Sequence, residues 1–270
     1  MKTTTKARRG LIISLFTLVI ALAVAATSTY AWFVVNKEVT ASNMQVTVKA
    51  DTTYLVIKKS ATEPANVDAL GTATAQEMDA SDAAVLPVMY DETETGSGVI
   101  KWKTGRGQAY DNGAITVDTE HENAPEYTSI SADDVTAGTY FVKYTFYVGL
   151  TSTSALPAEH LRVKTMTVTA NSTANNADTF LPAVSALVVC SHGETPTVDG
   201  TVDFEDISTM TASDYTSAAD ISATVAKNTV YTIDVYVYIN GDNDVVTSAN
   251  AAKLGGFTLS MTLACEQATA

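Results

Sequence analysis

The 270-residue chain reads as an all-β protein, a Greek-key or jelly-roll β-sandwich preceded by an N-terminal hydrophobic signal helix. Three observations lead there. The chain holds 42 threonines and abundant valine, β-branched residues whose stiff side chains suit a pleated surface. Period-two alternation of apolar and polar residues recurs along it, and no long apolar helix period follows the first 31 residues. The expected strands are unevenly spaced with long connections between them, which favours crossing Greek-key links over a meander.

The N-terminus has its own grammar. Lys2, Lys6, Arg8 and Arg9 precede an apolar run from Leu11 to Ala26, and Thr29 and Ala31 are small residues at −3 and −1 before Trp32. This is the pattern of a secretory signal peptide. Sixteen residues fall short of the roughly 20 that cross a bilayer, although Tyr30 to Val35 would lengthen the run into a retained membrane helix. Ala23-Val24-Ala25 is a second cut signal, giving a start at Ala26. The chain divides into a signal peptide (1–31), an N-terminal segment with the first strand (32–50) and the sandwich (51–270). Long loops are expected near 60–85 and 198–226.

Met44, Val46, Val48 and Ala50 alternate with Gln45, Thr47 and Lys49, and make the first strand. Tyr54 to Ile57 is a short apolar run. Val99 to Lys103 puts Ile100 and Trp102 on one face before a Gly105-Arg106-Gly107 turn. From Thr139 to Leu150, Tyr140, Val142, Tyr144, Phe146, Val148 and Leu150 share a face opposite Thr139, Lys143 and Thr145. Leu161 to Ala170 changes phase between Val163 and Met166, which predicts a bulge near Lys164 or Thr165. Ala183 to Cys190 is apolar on both faces, as a central strand is. Tyr231, Ile233, Val235, Val237 and Ile239 face inward, and Phe257, Leu259, Met261 and Leu263 alternate with Thr258, Ser260 and Thr262 at the close. Short helical turns are expected within the second long loop, around Ala212 to Ala219.

Charge narrows the partners. The chain has 16 basic and 30 acidic residues. Removing the signal leaves twelve basic residues, a formal charge of −18 on about 240 residues, the size of a single β-domain. Such a surface excludes nucleic acid, which needs a basic footprint, and favours solubility and cations.

The sequence Thr29-Tyr30-Ala31-Trp32-Phe33, followed by a polar stretch and the alternating Asn43-Met44-Gln45-Val46-Thr47-Val48, resembles the TasA and camelysin type of secreted protein, processed by a SipW-type signal peptidase. The final strands and the acidic turn between them are compatible; the middle of the chain has no motif to align. The resemblance implies a Gram-positive bacterium, an extracellular or cell-surface location, a jelly-roll fold and a biofilm-matrix fibre. It also implies a donated strand after signal cleavage, carried here by Trp32, Phe33, Met44, Val46 and Val48. Met44 to Ala50 reads as well as the first strand of the chain's own sandwich, and Trp32 and Phe33 need burial either in the subunit's own core or in a partner.

Catalytic signals are sparse. His121, His160 and His192 lie on separate loops and strand ends, with no G-x-S-x-G, H-E-x-x-H, phosphate loop or dinucleotide fingerprint. Acidic pairs such as Asp133-Asp134 read as solvated surface, so no enzyme is expected. Asp242, Asn243 and Asp244 offer oxygens suited to calcium, the one cofactor considered, yet Asn-Gly-Asp-Asn-Asp is also a strong turn. Cys190 and Cys265 admit a disulfide in an exported chain or two buried thiols. The leading expectation is a self-associating subunit of a matrix fibre or surface layer, which meets signal peptidase during export. A monomeric adhesin or carbohydrate-binding module is the alternative, and a pilin keeping its helix from Leu11 is another, weakened by Leu15 where a glutamate belongs.

Overall fold

The computed structural model describes residues 45–50, 55–77, 85–93, 99–104, 109–111, 114–116, 129–130, 140–151, 154, 157–170, 181–193, 195–217, 220–243, 245–246 and 257–268. Its main body is an all-β sandwich. One sheet, sheet A, has the order β13 (Ser222–Val225), β10 (Ala158–Ala170), β15 (Phe257–Gln267), β1 (Gln45–Ala50), β3 (Ala75–Glu77). Sheet B has the order β12 (Thr197–Phe204), β11 (Val184–His192), β14 (Tyr231–Ile239), β9 (Phe141–Leu150), β2 (Leu55–Lys59).

The order is that of a rolled ribbon. Among the eight strands β1 and β9 to β15, the first pairs with the last, the second with the seventh, the third with the sixth and the fourth with the fifth. This is jelly-roll connectivity, two Greek keys in one ribbon. Three of those pairs are antiparallel. The fourth, β1 with β15, is parallel.

Alternation drives the packing. On β9, Val142, Tyr144, Phe146, Val148 and Leu150 enter the core between the sheets, where they meet Ile233, Val235 and Val237 of β14 and Leu259, Met261 and Leu263 of β15. Each side chain of this size contributes roughly 1.5–3 kcal/mol when fully buried. On β10 the register slips between Val163 and Thr165, at the expected bulge, and again between Glu159 and Arg162, where His160 takes a left-handed φ of 57°.

The two expected loops are a partial misreading. Region 60–85 contains a 3-10 turn at Val67–Leu70 and the short β3. Region 198–226 contains most of β12, a 3-10 turn at Ile207–Thr209, the helix α1 (Ala212–Ser217) and β13. The helix falls where helical turns were expected. β12 is masked in the sequence because the β11–β12 register slips at Cys190/Ser191 and breaks its alternation. Its glycine also looks like a turn residue. Gly200 is there for space: a Cβ would sit 2.7 Å from the carbonyl oxygen of Ile221, where the chain passes into β13.

A further sheet caps sheet B. β4 (Val88–Thr93), β5 (Ile100–Thr104) and β8 (Ser129–Ile130) form it. Trp102 descends from it onto the outward-facing Phe141 and Tyr238, with ring centroids 5.2 Å away in each case. The Gly241 N–H donates to the Val88 carbonyl at 3.1 Å and ties β4 to the end of β14. Beside it the Val67–Leu70 turn packs with Val56, Tyr147 and Val230. A separate ribbon joins β6 (Ala109–Asp111) to β7 (Ala114–Thr116). No helix among the described residues is long and apolar enough to cross a membrane. The expected signal helix lies outside the described residues.

Candidate functional site

The expected assembly strand is partly in view. Trp32, Phe33 and Met44 lie outside the described residues, as do the cleavage residues Thr29 and Ala31. Val46 and Val48 fall on β1, in register with Met261 and Leu263 of β15. On its other side β1 pairs with β3 over only three positions, Gln45 to Thr47. Its far half, Val48 to Ala50, extends beyond that pairing.

The acidic turn after β14 is held by its own hydrogen bonds. The Asp242 N–H donates to Asn240 Oδ1 at 3.0 Å, and the Val245 N–H donates to Asn243 Oδ1 at 3.1 Å. Asn243 Nδ2 donates to Asp206 Oδ1 at 2.6 Å and to the Pro182 carbonyl at 3.1 Å. Both ends of the Asn243 amide are thus spent on structure, as expected of a turn. Asp244 lies outside the described residues. Folding does bring Glu205 and Asp206 toward Asp242, and burial followed by these two charges raises the Glu205 carboxyl above its ordinary value. Among the described residues no three His, Cys, Asp or Glu side chains are grouped to hold a metal ion.

The cysteines are unbridged. Cys190 on β11 and Cys265 on β15 are both buried thiols, on strands of opposite sheets, and no disulfide joins them in this structure. Cys190 does have company. Its Sγ lies 3.9 Å from Asp199 Oδ2, which also meets His192 Nδ1 at 2.8 Å. A nucleophilic cysteine needs the imidazole as its base and a lowered pKa. Here the carboxylate sits between the two, and burial, reinforced by Asp199, pushes the thiol well above its ordinary value. The trio braces the β11–β12 hairpin.

His160 is likewise paired, with Nδ1 2.5 Å from Asp220 Oδ2, and that hydrogen bond raises its pKa. It stitches the upper bulge of β10 to the entry of β13. Nearby Arg162 reaches Glu266 at 2.5 Å. His121 and the Asp133-Asp134 pair lie outside the described residues.

One arrangement was not anticipated. The Tyr238 hydroxyl, on the outward face of β14, lies 2.9 Å from both carboxylate oxygens of Asp203 on β12, reaching across β11. Loss of hydration is the main cause that lifts Asp203 to about 7, against the lowering effect of the tyrosine bond and with a further rise from Glu205. Burial also holds the Tyr238 hydroxyl well above its ordinary range. A signal for this was present. Tyr236 and Tyr238 occupy the polar phase of β14, and large aromatics there mark an outer face that something covers.

That cover bears on sugar binding. Stacking on a saccharide needs exposed rings, whereas Trp102 is 1% exposed, Phe141 and Tyr238 are buried, and Tyr236 is partly buried beside them. The chain matches no protein-family model, no curated protein sequence and no solved structure.

Proposed function

We propose that this chain is an exported structural subunit that joins copies of itself head to tail, with its first strand as the link. The observation that supports this reading is the reversed direction of β1. The rolled ribbon leaves a place beside β15 for a strand antiparallel to it, as in the other three matched pairs. The chain's own β1 enters that place parallel, the slightly weaker pairing per residue. A strand delivered by a neighbouring copy is free of the short connection to β2 and can enter in the antiparallel sense. Backbone hydrogen bonds then supply affinity, and alternate side chains supply register. Such a contact is heterologous and does not close on itself, so it propagates as a filament. An N-terminal signal peptide accounts for the cut that frees the segment, and an acidic surface keeps unassembled subunits apart.

The test compares a chain beginning at Trp32 with one beginning at Asp51, by electron microscopy and far-ultraviolet circular dichroism. Filaments from the first and a folded monomer from the second are the expected pair of results. An unfolded second protein makes β1 an integral strand and overturns donation. Filaments from both proteins place the link elsewhere.

A further inference from the structure

Between β2, at the edge of sheet B, and β3, at the edge of sheet A, the chain runs as a strap from one sheet to the other. Its root lies on sheet B, where Val67 and Leu70 are buried against Val56, Tyr147 and Val230. Asn66 caps the turn by accepting the Ala69 N–H at 3.0 Å, and Lys58 Nζ donates to the Ala69 carbonyl at 2.7 Å. The strap then follows β2, whose Ile57 N–H donates to the Ala73 carbonyl at 2.9 Å. Two residues later it changes sheet. Ala75, Gln76 and Glu77 pair with Thr47, Val46 and Gln45 of β1, while Gln76 Oε1 accepts the Lys59 N–H at 3.3 Å. Gln76 thus joins the edge strands of both sheets, through its backbone register with β1 and its side chain on β2.

Root and tip are unequal. The root buries apolar side chains, whereas the tip is a three-residue pairing with Ala75 and Glu77 exposed. Local opening begins where few buried contacts back the backbone bonds. The tip also has a direction. β1 runs parallel to β15, and β3 runs antiparallel to β1, so β3 is antiparallel to β15. A neighbour's strand entering beside β15 in the antiparallel sense would therefore lie parallel to β3. Parallel and antiparallel ladders place their hydrogen bonds differently, so the pairs that β3 makes with β1 do not pass to the newcomer. We propose that β3 is an autoinhibitory latch, which holds the chain's own β1 in place and must let go before copies exchange strands. The inference rests on strand donation as the mode of assembly. Opening costs the tip alone, because the root keeps the strap on sheet B.

The experiment follows filament growth of the chain beginning at Trp32 by light scattering and electron microscopy. Gln76→Pro with Glu77→Pro opens the latch. Successive N–H groups of a strand point to opposite sides, so the two prolines remove a donor facing β1 whichever residue supplies it. The expected lag is about tenfold shorter than the parent's, the rate equivalent of one to two net hydrogen bonds. Thr47→Cys with Ala75→Cys, at directly opposite positions of the two strands, closes the latch covalently on oxidation. No filaments then form, and reduction restores them. An unchanged lag in the two-proline chain overturns the latch, as does growth of the oxidised chain at the parent's rate. Should the two-proline chain fail to fold, the cysteine pair decides alone. Strand donation is judged separately by the chain that begins at Asp51, which has no β1 to hold. Absence of filaments from the parent, the two-proline chain and the reduced chain alike removes donation and the latch with it.

Discussion

The two sheets present outer faces made by the same rule of alternation and treated in opposite ways. The outer face of sheet B carries Phe141, Leu187, Val189, Tyr236 and Tyr238, and a third layer led by Trp102 lies on it. The outer face of sheet A carries Thr165, Thr167 and Thr169 on β10, in register with Thr262, Ser260 and Thr258 of β15. Those three threonines of β10 are exposed. Both faces are backed by one core, so the core does not decide which is covered. The polar phase of each strand does. Where it holds aromatic rings, the exposed area is too apolar to leave to water and recruits a lid. Where it holds threonine, each hydroxyl stays solvated while its methyl and branched Cβ still favour the strand.

The sharpest way to break the comparison is Trp102→Ala. It removes the central side chain of the covered face and should cost about 3–5 kcal/mol, read as a lower urea midpoint. If the aromatic face truly needs its lid, the variant should also bind a hydrophobic dye at room temperature. A loss below about 1 kcal/mol would mean that the cover sheet contributes little to holding sheet B together.

The next effect is a pH dependence. Asp203 has a folded-state value of about 7 against an ordinary 3.8. The native state therefore holds a proton that the unfolded state releases, and stability falls as pH rises from about 4 through about 7, then levels off. The span is on the order of 2–4 kcal/mol. Urea denaturation at pH 5 and pH 8 measures it, and Asp203→Asn should flatten the difference. An identical slope in the variant would assign the effect to other carboxylates.

A smaller effect tests how sheet A closes its edge. β13 pairs with β10 only from Ala158 to Leu161, and α1 takes over beyond it, with the buried Tyr215 hydroxyl donating to the Met166 carbonyl at 2.6 Å. Tyr215→Phe keeps the ring and removes the bond, leaving a strand carbonyl without its partner. The expected cost is about 1–2 kcal/mol by thermal or urea unfolding, and a value near zero would show that water substitutes freely there.

Much of this contrast was legible before folding. The inward phases of β9, β14 and β15, the bulge beside Thr165 and the threonine phase of β10 follow from alternation alone. The covering of sheet B was half legible, since Tyr236 and Tyr238 stood on a polar phase without any sign of what would lie over them. β4 and β12 were not legible. Asp91 and Asp199 stand at register slips in those strands, and an extra residue reverses the alternation that identifies a strand. The Asp203–Tyr238 pair was illegible for a different reason. It joins residues 35 positions apart across an intervening strand, and only the rolled order of β12, β11 and β14 brings them together.

Thr167→Val is the smallest expected change and bears most directly on the uncovered face. The substitution keeps the shape and the β-branching and replaces a hydroxyl by a methyl at an exposed position in register with Ser260. Strand preference hardly alters, and exposed substitutions of this kind stay within about 0.5 kcal/mol. Solubility is the more telling readout. If the face is open to water in the free subunit, one added methyl leaves sedimentation unchanged. If copies already meet there, the new apolar contact strengthens with protein concentration. A sedimentation coefficient that rises with concentration in the variant but not in the parent would turn this face from bare surface into a contact between subunits. It would also separate such a contact from strand donation, because it would persist in the chain that begins at Asp51.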